Sequence, residues 1–351
     1  MMGLGSLLFA WAPSLPLAMA ARFLVGFGAA FIFIALLRQQ VNWFDKGHFA
    51  QLTGLTVLVG NLGALAGIGP FALLVTHLGW RRAFLLPSLV ALAFSAAVAV
   101  VVRNSPAPRR DEHGIGLGES IALVLRNRTN YLTFVSFGLC SGVYLTFGGL
   151  WGVPFLRHVH GMDTLQASVC TTLLMAGMAV GSLLTPLFVR LCGSPRNGGV
   201  LMLGVTGLLW AVVFFAPLPL SWPPALYGLF CLLGVGISGS ILVYTTIREC
   251  NPERAMGTAL AFTNTGGFIA IAVLQVLVGV ILDRFVGSAV EGVPVYPPPA
   301  YRLAFGLLLV LHFVGVAAFA LVREPREDEG STGGDTSRSG STVSADSVFS
   351  K

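Results

Sequence analysis

The chain has 351 residues, of which 55% are hydrophobic and 10% are charged, and its mean hydropathy is +0.81. Soluble globular domains carry about 25% charged residues, so this composition excludes a water-soluble enzyme or binding domain. The formal charge of +6 is not concentrated in a lysine- and arginine-rich tract, which excludes nucleic acid as a partner.

Long apolar stretches follow one another along the chain. A helix needs about 20 apolar residues to cross the hydrocarbon core of a bilayer, where every backbone amide must be paired internally. The sequence therefore predicts nine full membrane-spanning helices, at Leu17 to Leu37, Phe49 to Val75, Ala83 to Val102, Thr129 to Leu156, Thr164 to Val189, Asn197 to Phe215, Ala225 to Ile247, Ala255 to Leu282 and Leu303 to Val322.

Four further segments do not span. Met1 to Trp11 is apolar but too short to cross, and it lacks the basic start of a signal peptide. Ala216 to Pro224 is rich in proline and separates two spans, because prolines at this density cannot lie inside one helix. Residues 104–128 form a polar connector, and residues 323–351 form a serine-, threonine- and glycine-rich tail that we expect to be disordered.

The basic residues predict the orientation in the membrane. When alternate loops are assigned to alternate sides, one side holds thirteen arginine or lysine residues and the other holds five. The side richer in positive charge faces the cytoplasm. The connector and the C-terminus are therefore predicted to be cytoplasmic, and the proline-rich break external. This arrangement suits an integral protein of a bacterial inner membrane, with membrane lipid as its surroundings.

Motifs for catalysis or for a cofactor are missing from the sequence. The five cysteines lie singly, which disfavours a disulfide framework or a zinc site, and His158 and His160 lack further metal ligands nearby. The sequence contains no G-x-x-x-x-G-K-[ST], H-E-x-x-H or G-x-S-x-G motif. We therefore expect no cofactor, no metal, and neither an enzyme nor an ATP-driven pump.

An internal repeat relates the two parts of the chain. A shift of 203 residues aligns Gly54 with Gly257, Asn61 with Asn264 and Gly63 with Gly266. Glycine and asparagine are less common in apolar helices than leucine, so their coincidence indicates a repeated structural unit. We expect Asn61 and Asn264 to hydrogen-bond between helices, and Gly63 and Gly266 to be structural or gating residues where backbones approach closely.

Three motifs carry a resemblance to a known family. Arg22-Phe-Leu-Val-Gly26-Phe-Gly28 enters one span, Trp43-Phe44 precedes the next, and Gly79-Trp-Arg-Arg-Ala-Phe84 follows it. Together they resemble the major facilitator superfamily, and the closest overall similarity is to its bacterial sugar-phosphate permease-like members. The resemblance implies an all-α, polytopic membrane bundle of two six-helix halves and secondary transport by alternating access.

The resemblance also implies a layout. The first short apolar piece corresponds to the end of the family's third helix, and the nine spans to helices four to twelve, so that the first two helices are absent from this sequence. The N-terminal bundle is then partial and covers residues 1–103, followed by the connector, a six-helix bundle at 129–322 and the tail. A gating loop of the family has a degenerate counterpart that retains Arg190 and Gly193.

Arg22 is the one formal charge well inside a predicted span. It lies about six residues from the outer end, which is about 10 Å deep at 1.5 Å per residue. Charges inside a membrane need a partner or a cavity and are often functional. Arg22 is therefore a candidate contact for an anionic substrate; alternatively, it extends toward the interface or braces neighbouring helices.

Two stripes of polar residues recur at helical spacing in spans that the resemblance assigns to the central path. They consist of Thr133, Ser136, Cys140 and Tyr144 in one span, and of Ser240 and Tyr244 in another. Such stripes can face a wet cavity, or can serve close helix packing.

The sequence thus favours a secondary transporter of a small metabolite. Arg22 makes an anion such as an organophosphate or a carboxylate plausible, while peptides, sugars and drugs remain open. No aspartate or glutamate lies inside a predicted span, so the usual carboxylate of a proton relay is missing from these spans. We expect either that a proton or other coupling ion binds in the absent helices or that transport is uncoupled. The alternative from another class is a non-transporting protein, either a truncated remnant or a transporter-like receptor.

Overall fold

A computed structural model describes residues 1–43, 46–101, 116–216, 222–285, 288–290 and 293–323. Within these residues the protein is almost entirely α-helical, which confirms the predicted polytopic bundle. The helices are α1 (Met2–Trp11), α2 (Leu15–Trp43), α3 (Lys46–Val101), α4 (Leu117–Arg126), α5 (Arg128–Thr146), α6 (Gly152–His160), α7 (Thr164–Cys192), α8 (Pro195–Phe215), α9 (Pro223–Ile237), α10 (Ile241–Cys250), α11 (Met256–Asp283) and α12 (Pro298–Ala320).

Eight described helical segments are long and apolar enough to cross a membrane. The predicted span Phe49 to Val75 lies in the backbone of α3, but most of its side chains lie outside the described residues. Gly79, with φ of 76°, divides α3 in two, and this left-handed conformation favours glycine. The segment that follows Gly79 is therefore a separate span, as the sequence predicts.

The loops that precede α7 and α8 are short, and their residues fix the helix ends. The Asp163 side chain accepts a hydrogen bond from the Gln166 amide at the start of α7, and Ser194 does the same for Asn197 at the start of α8. Gly193 ends α7 with φ of 75°. Residues 217–221, 102–115 and 324–351, which hold most of the predicted breaks and tail, lie outside the described residues.

Three features differ from the elements that the sequence predicts. A short antiparallel hairpin pairs β1 (Ser288–Val290) with β2 (Val293–Val295) between α11 and α12. The last span begins at Pro298 rather than Leu303, because proline is well suited to the first turn of a helix. The connector, predicted only as polar, contains α4.

The C-terminal helices pack through glycine at their closest crossings. A Cβ atom built on Gly138 of α5 would lie 2.9 Å from the carbonyl oxygen of Gly266 on α11. A Cβ on Gly181 of α7 would lie 2.6 Å from the Cα atom of Val235 on α9. Small residues allow such contacts in a membrane, where lipid tails are as apolar as leucine and helices associate by close packing.

Aromatic rings fill the interior of the C-terminal helices. Phe147 lies between Trp210 and Phe305, with ring centroids 4.9 and 5.8 Å away, and Phe155 lies 4.8 Å from Phe305. All four side chains are fully buried. They hold α6, α8 and α12 together at the end of the bundle where α6 follows α5.

Helix α4 and the first turn of α5 are fastened to the ends of α11 and α10, respectively. Asn130 and Asn251 exchange two amide hydrogen bonds, of 2.9 and 2.8 Å. The Ser120 and Thr258 hydroxyls share a third, of 2.6 Å. Ser120 and Asn130 are buried, so these bonds satisfy polar groups that would otherwise be costly to bury.

Candidate functional site

Two membrane-spanning segments contain interruptions that are not α-helical. The segment Arg128–His160 passes through a π-helical stretch at Phe147–Trp151. The segment Pro223–Cys250 passes through a 3-10 stretch at Ser238–Ser240. Interruptions of this kind leave backbone groups outside the regular pattern and often mark functional positions. They occur in the two segments that carry the predicted polar stripes.

The π-helical stretch is bonded to α11 on both sides. The Trp151 indole donates a 3.0 Å hydrogen bond to the Gln275 carbonyl, and the Gln275 side chain donates a 3.5 Å bond to the Leu145 carbonyl. Gln275 therefore ties the interruption to its neighbour. Gln275 was not among the predicted site residues, although an amide inside an otherwise apolar helix was a usable signal.

The 3-10 stretch lies against α8. A Cβ atom built on Gly239 would lie 2.7 Å from the Met202 side chain, so only glycine allows this approach. Ser240, predicted to line the path, is buried, and its hydroxyl has no hydrogen-bond partner among the described residues. A buried hydroxyl without a partner costs free energy, so it marks a place where a water or a bound group would be favourable.

The polar stripe of α5 is buried among neighbouring helices. The Thr133 hydroxyl donates to the Asn130 carbonyl at 3.0 Å and lies 3.2 Å from the Thr263 hydroxyl of α11. The Cys140 thiol lies 3.7 Å from the carbonyl of His312 on α12. Ser136 lies between them, fully buried, with no partner for its hydroxyl in the described part of the chain. One end of the stripe, at Thr133, thus contacts α11, and the other part, at Cys140, contacts α12.

The tyrosines of the two stripes differ in their surroundings. Tyr144 is buried within the bundle. The Tyr244 hydroxyl donates a 3.0 Å hydrogen bond to Asn264, and its ring lies 4.8 Å from Phe137. Asn264 thus takes part in a bond between α10 and α11, whereas the side chain of Asn61 lies outside the described residues.

Arg22 lies on α2 with its guanidinium against two aromatic rings. Its Cζ atom is 4.2 Å from the ring centre of Phe9 on α1 and 4.9 Å from that of Phe84 on α3. These distances are those of cation–π contacts. The residue as a whole is nevertheless exposed. Arg22 therefore joins α1, α2 and α3 through its ring contacts while its side chain stays partly accessible.

The remaining residues that were predicted to be structural or gating differ in how closely other helices pack against them. Gly266 forms the close crossing with α5, whereas no described atom lies within 4 Å of a Cβ built on Gly26 or Gly63. Arg190 is exposed in the last turn of α7, where a positive charge interacts favourably with the helix dipole.

His312 is a buried residue that was not among the predicted site residues. It lies in the middle of α12, is fully buried, and its Nε2 atom is 2.9 Å from the Leu203 carbonyl oxygen of α8. Its Nδ1 atom has no partner among the described residues. A single histidine in an apolar helix was the available signal.

The histidines considered for metal binding have other contacts. The His158 Nδ1 atom is 3.0 Å from the Tyr301 hydroxyl. Within the described ranges no group of three histidine, cysteine or acidic residues could hold a metal ion. Nearby, Tyr296 donates a 2.7 Å hydrogen bond to Asp283. Burial, together with this hydrogen bond and the negative charge of Asp283, raises the pKa of Tyr296.

Comparison with known families and proteins agrees with these observations. Residues 1–275 match the model of the Major Facilitator Superfamily. The chain is 26% identical over 308 residues to the Probable sulfoacetate transporter SauU of Cupriavidus necator, a match that covers 80% of this chain and 70% of the relative.

Solved structures share the fold. A bacterial homolog of the human lysosomal transporter Spinster, in an inward-facing and unoccupied conformation, has a TM-score of 0.61 and 15% identity over 92% of this chain and 80% of its own. The Escherichia coli fucose:proton symporter FucP has a TM-score of 0.62 and 14% identity over 91% of this chain and 81% of its own.

Proposed function

This chain belongs to the Major Facilitator Superfamily and is a secondary transporter, and we propose that its substrate is a small organic anion moved by alternating access. The observation that carries the proposal is the setting of Arg22. Phe9 and Phe84 contact the guanidinium within 5 Å and hold it in position. Its hydrogen-bond donors lie in the guanidinium plane, where they suit the two oxygens of a carboxylate, sulfonate or phosphate.

The surroundings of Arg22 favour a ligand rather than an internal ion pair. Asp45 is the single acidic residue that precedes Asp111 in the sequence, and it lies far along the chain from Arg22. A positive charge within a membrane needs a compensating group. An anionic substrate supplies that compensation, and the aromatic rings supply part of it when the substrate is absent.

The name of the curated relative supports an anionic substrate for this chain. Its name assigns it sulfoacetate, a small molecule with a sulfonate and a carboxylate. We infer that this chain accepts an anion of similar size, and sulfoacetate is therefore the first probe. Fucose, named for one of the solved structures, is a neutral comparison of the same size class.

Transport by the purified full chain in proteoliposomes tests the proposal. We expect counterflow of labelled sulfoacetate and none of fucose. Arg22→Met should weaken the apparent affinity for sulfoacetate by about 10- to 100-fold, because a hydrogen bond to a charged group contributes about 1.5–3 kcal/mol. Arg22→Lys should recover part of the affinity, since it keeps the charge without the planar fork.

Arg81→Met is the matched control, since Arg81 also lies on an aromatic ring, 4.3 Å from the centre of Trp80. It should leave the affinity for sulfoacetate unchanged. Equal affinities in Arg22→Met and Arg81→Met would contradict a direct substrate contact. Binding of sulfoacetate without flux would instead favour a transporter-like receptor.

We further propose that the C-terminus faces the cytoplasm of a bacterial inner membrane, and that the connector separates a partial N-terminal bundle from a six-helix C-terminal bundle. The asymmetry of thirteen against five basic residues supports this orientation. Fusions of a cytoplasm-active and a periplasm-active reporter to Lys351 test it. Activity of the periplasmic reporter would overturn it.

A further inference from the structure

The tautomer of His312 follows from the hydrogen bond that is described for its side chain. Nε2 lies 2.9 Å from the Leu203 carbonyl oxygen, and a carbonyl only accepts hydrogen bonds. Nε2 therefore carries the hydrogen, and in the neutral ring Nδ1 keeps its lone pair. Nδ1 is buried and has no partner among the described residues, so a basic nitrogen inside a membrane-spanning helix is left unsatisfied.

The helices around His312 contribute few other titratable groups. Helix α5 contributes the Cys140 thiol, which lies 3.7 Å from the His312 carbonyl, and Tyr144 one turn further on. Helices α8 and α11 have their charged residues near their ends, at Arg196 and Asp283. Helix α6 places His158 against Tyr301, eleven residues from His312 and so about 16 Å along α12.

Buried polar groups of α5 lie against the backbone of α12 beside His312. A Cβ atom built on Gly315, one turn from His312, would lie 2.8 Å from the Cys140 sulfur and 3.3 Å from the Ser136 carbonyl oxygen. The Ser136 hydroxyl also has no partner in the described part of the chain. The His312 ring is bonded toward α8, so Ser136, Cys140 and His312 form a polar cluster where α5, α8 and α12 meet, and water could enter it when the helices move apart.

We propose that Nδ1 of His312 is the site that binds the coupling proton during transport. This rests on the proposed function, because coupling presupposes a transporter. No aspartate or glutamate lies inside a predicted span, so the spans contain no carboxylate for this role. In one conformation water reaches the cluster and gives a proton to Nδ1; in the other, Nδ1 returns it to water on the opposite side.

The hydrogen bond to Leu203 is compatible with both states of the ring. Imidazolium donates from both nitrogens, so Nε2 keeps its bond while Nδ1 gains a proton and a donor. The charged ring is disfavoured where it is buried and favoured where water solvates it. Protonation therefore shifts the protein toward the conformation that hydrates the cluster, which links proton binding to the transport cycle.

His312→Gln separates a structural role from proton binding. The glutamine amide can donate to the Leu203 carbonyl as Nε2 does, but it has no basic nitrogen. In proteoliposomes with sulfoacetate as the probe, we expect counterflow to persist. Accumulation driven by a pH gradient, and the proton influx that accompanies sulfoacetate, should be lost. Wild-type accumulation and proton influx in His312→Gln would overturn the proposal.

A spectroscopic measurement tests the site without any substrate. The full chain labelled with [15N]histidine has six imidazoles, and the signals missing from His312→Gln belong to His312. We expect an Nε2–H neutral ring at neutral pH and protonation of Nδ1 on acidification of the folded protein. A neutral His312 ring at the lowest pH that preserves the fold would overturn the proposal. Failure of sulfoacetate counterflow in the wild-type protein would count only against the proposal of an anionic substrate.

Discussion

The regions before and after the connector differ in how their helices are covered. In the N-terminal region, the spans Leu15–Ile32 and His77–Val101 have 11% and 6% of their residues buried. In the C-terminal region the corresponding shares run from 22% to 56%. All these spans are similarly apolar, so hydropathy predicts insertion in the bilayer but not contact with other helices.

The kinds of residue that are buried explain the difference. The described buried residues of the N-terminal region are small, such as Gly3 against Leu92 and Gly5 against Val25. The C-terminal region combines glycine crossings with buried aromatic rings. Lipid covers an apolar surface as well as protein does, so helices join where small residues permit close contact.

The largest effect should come from filling a glycine crossing. In Gly266→Leu, the first side-chain atom would lie 2.7 Å from the Phe134 carbonyl oxygen, and α5 and α11 would have to separate. Overpacking costs about 1–3 kcal/mol or more, so we expect a lower melting temperature and poor yield of folded protein. Fluorescence-detected thermal unfolding in detergent measures this.

Gly204→Leu is the control for that crossing, because no described atom lies within 4 Å of a Cβ there. Gly26→Leu extends the comparison to the N-terminal region, where the Cβ is equally unobstructed. Both should retain melting temperatures close to wild type. If either variant lowered the melting temperature as much as Gly266→Leu does, the contrast between obstructed and unobstructed glycine positions would be contradicted.

A smaller effect should follow removal of the Gln275 amide. Gln275→Leu leaves the Leu145 carbonyl without this donor next to the π-helical stretch, at a cost of about 1 kcal/mol. We also expect slower counterflow, because the interruption would lose one of its two bonds to α11. Gln275→Glu is the control, since a protonated glutamate can still donate a hydrogen bond to the Leu145 carbonyl. Unchanged counterflow in both variants would argue against a functional role for the π-helical stretch.

The smallest effect concerns the edge of the packed region. Tyr296 has a pKa above its unfolded value, so its hydrogen bond with Asp283 stabilises the fold below about pH 10 and is lost as pH rises through the raised pKa. Tyr296→Phe should cost about 0.5 kcal/mol at pH 7 and should flatten the fall in stability at alkaline pH. Identical stability curves for both proteins between pH 7 and 11 would contradict this role.

The bilayer makes the spans of this protein predictable. Each helix must satisfy its own backbone over the same thickness, so apolar length alone locates Thr164–Cys192 and Met256–Asp283 to within a few residues. Proline between α8 and α9 likewise locates a boundary. Each of these inferences depends only on the residues of a single segment, and these can be read directly from the sequence.

The candidate site depends on contacts between segments. The π-helical and 3-10 stretches contain glycine and serine, but these residues recur throughout the spans and so do not locate an interruption. The tautomer of His312 is set by a carbonyl on another helix. Arg22 was identified from its charge, but its two ring partners come from other helices. The sequence therefore indicated candidate residues without their partners.

The hydrogen bonds of α4 also change where the C-terminal region begins. Ser120 of α4 is bonded to Thr258 of α11, and Asn130 of α5 donates to the Val124 carbonyl of α4. Leu117–Arg126 is therefore bonded into the C-terminal helices, although its sequence is typical of a polar connector. The connector thus meets the C-terminal region at Leu117, one helix earlier than the first C-terminal span.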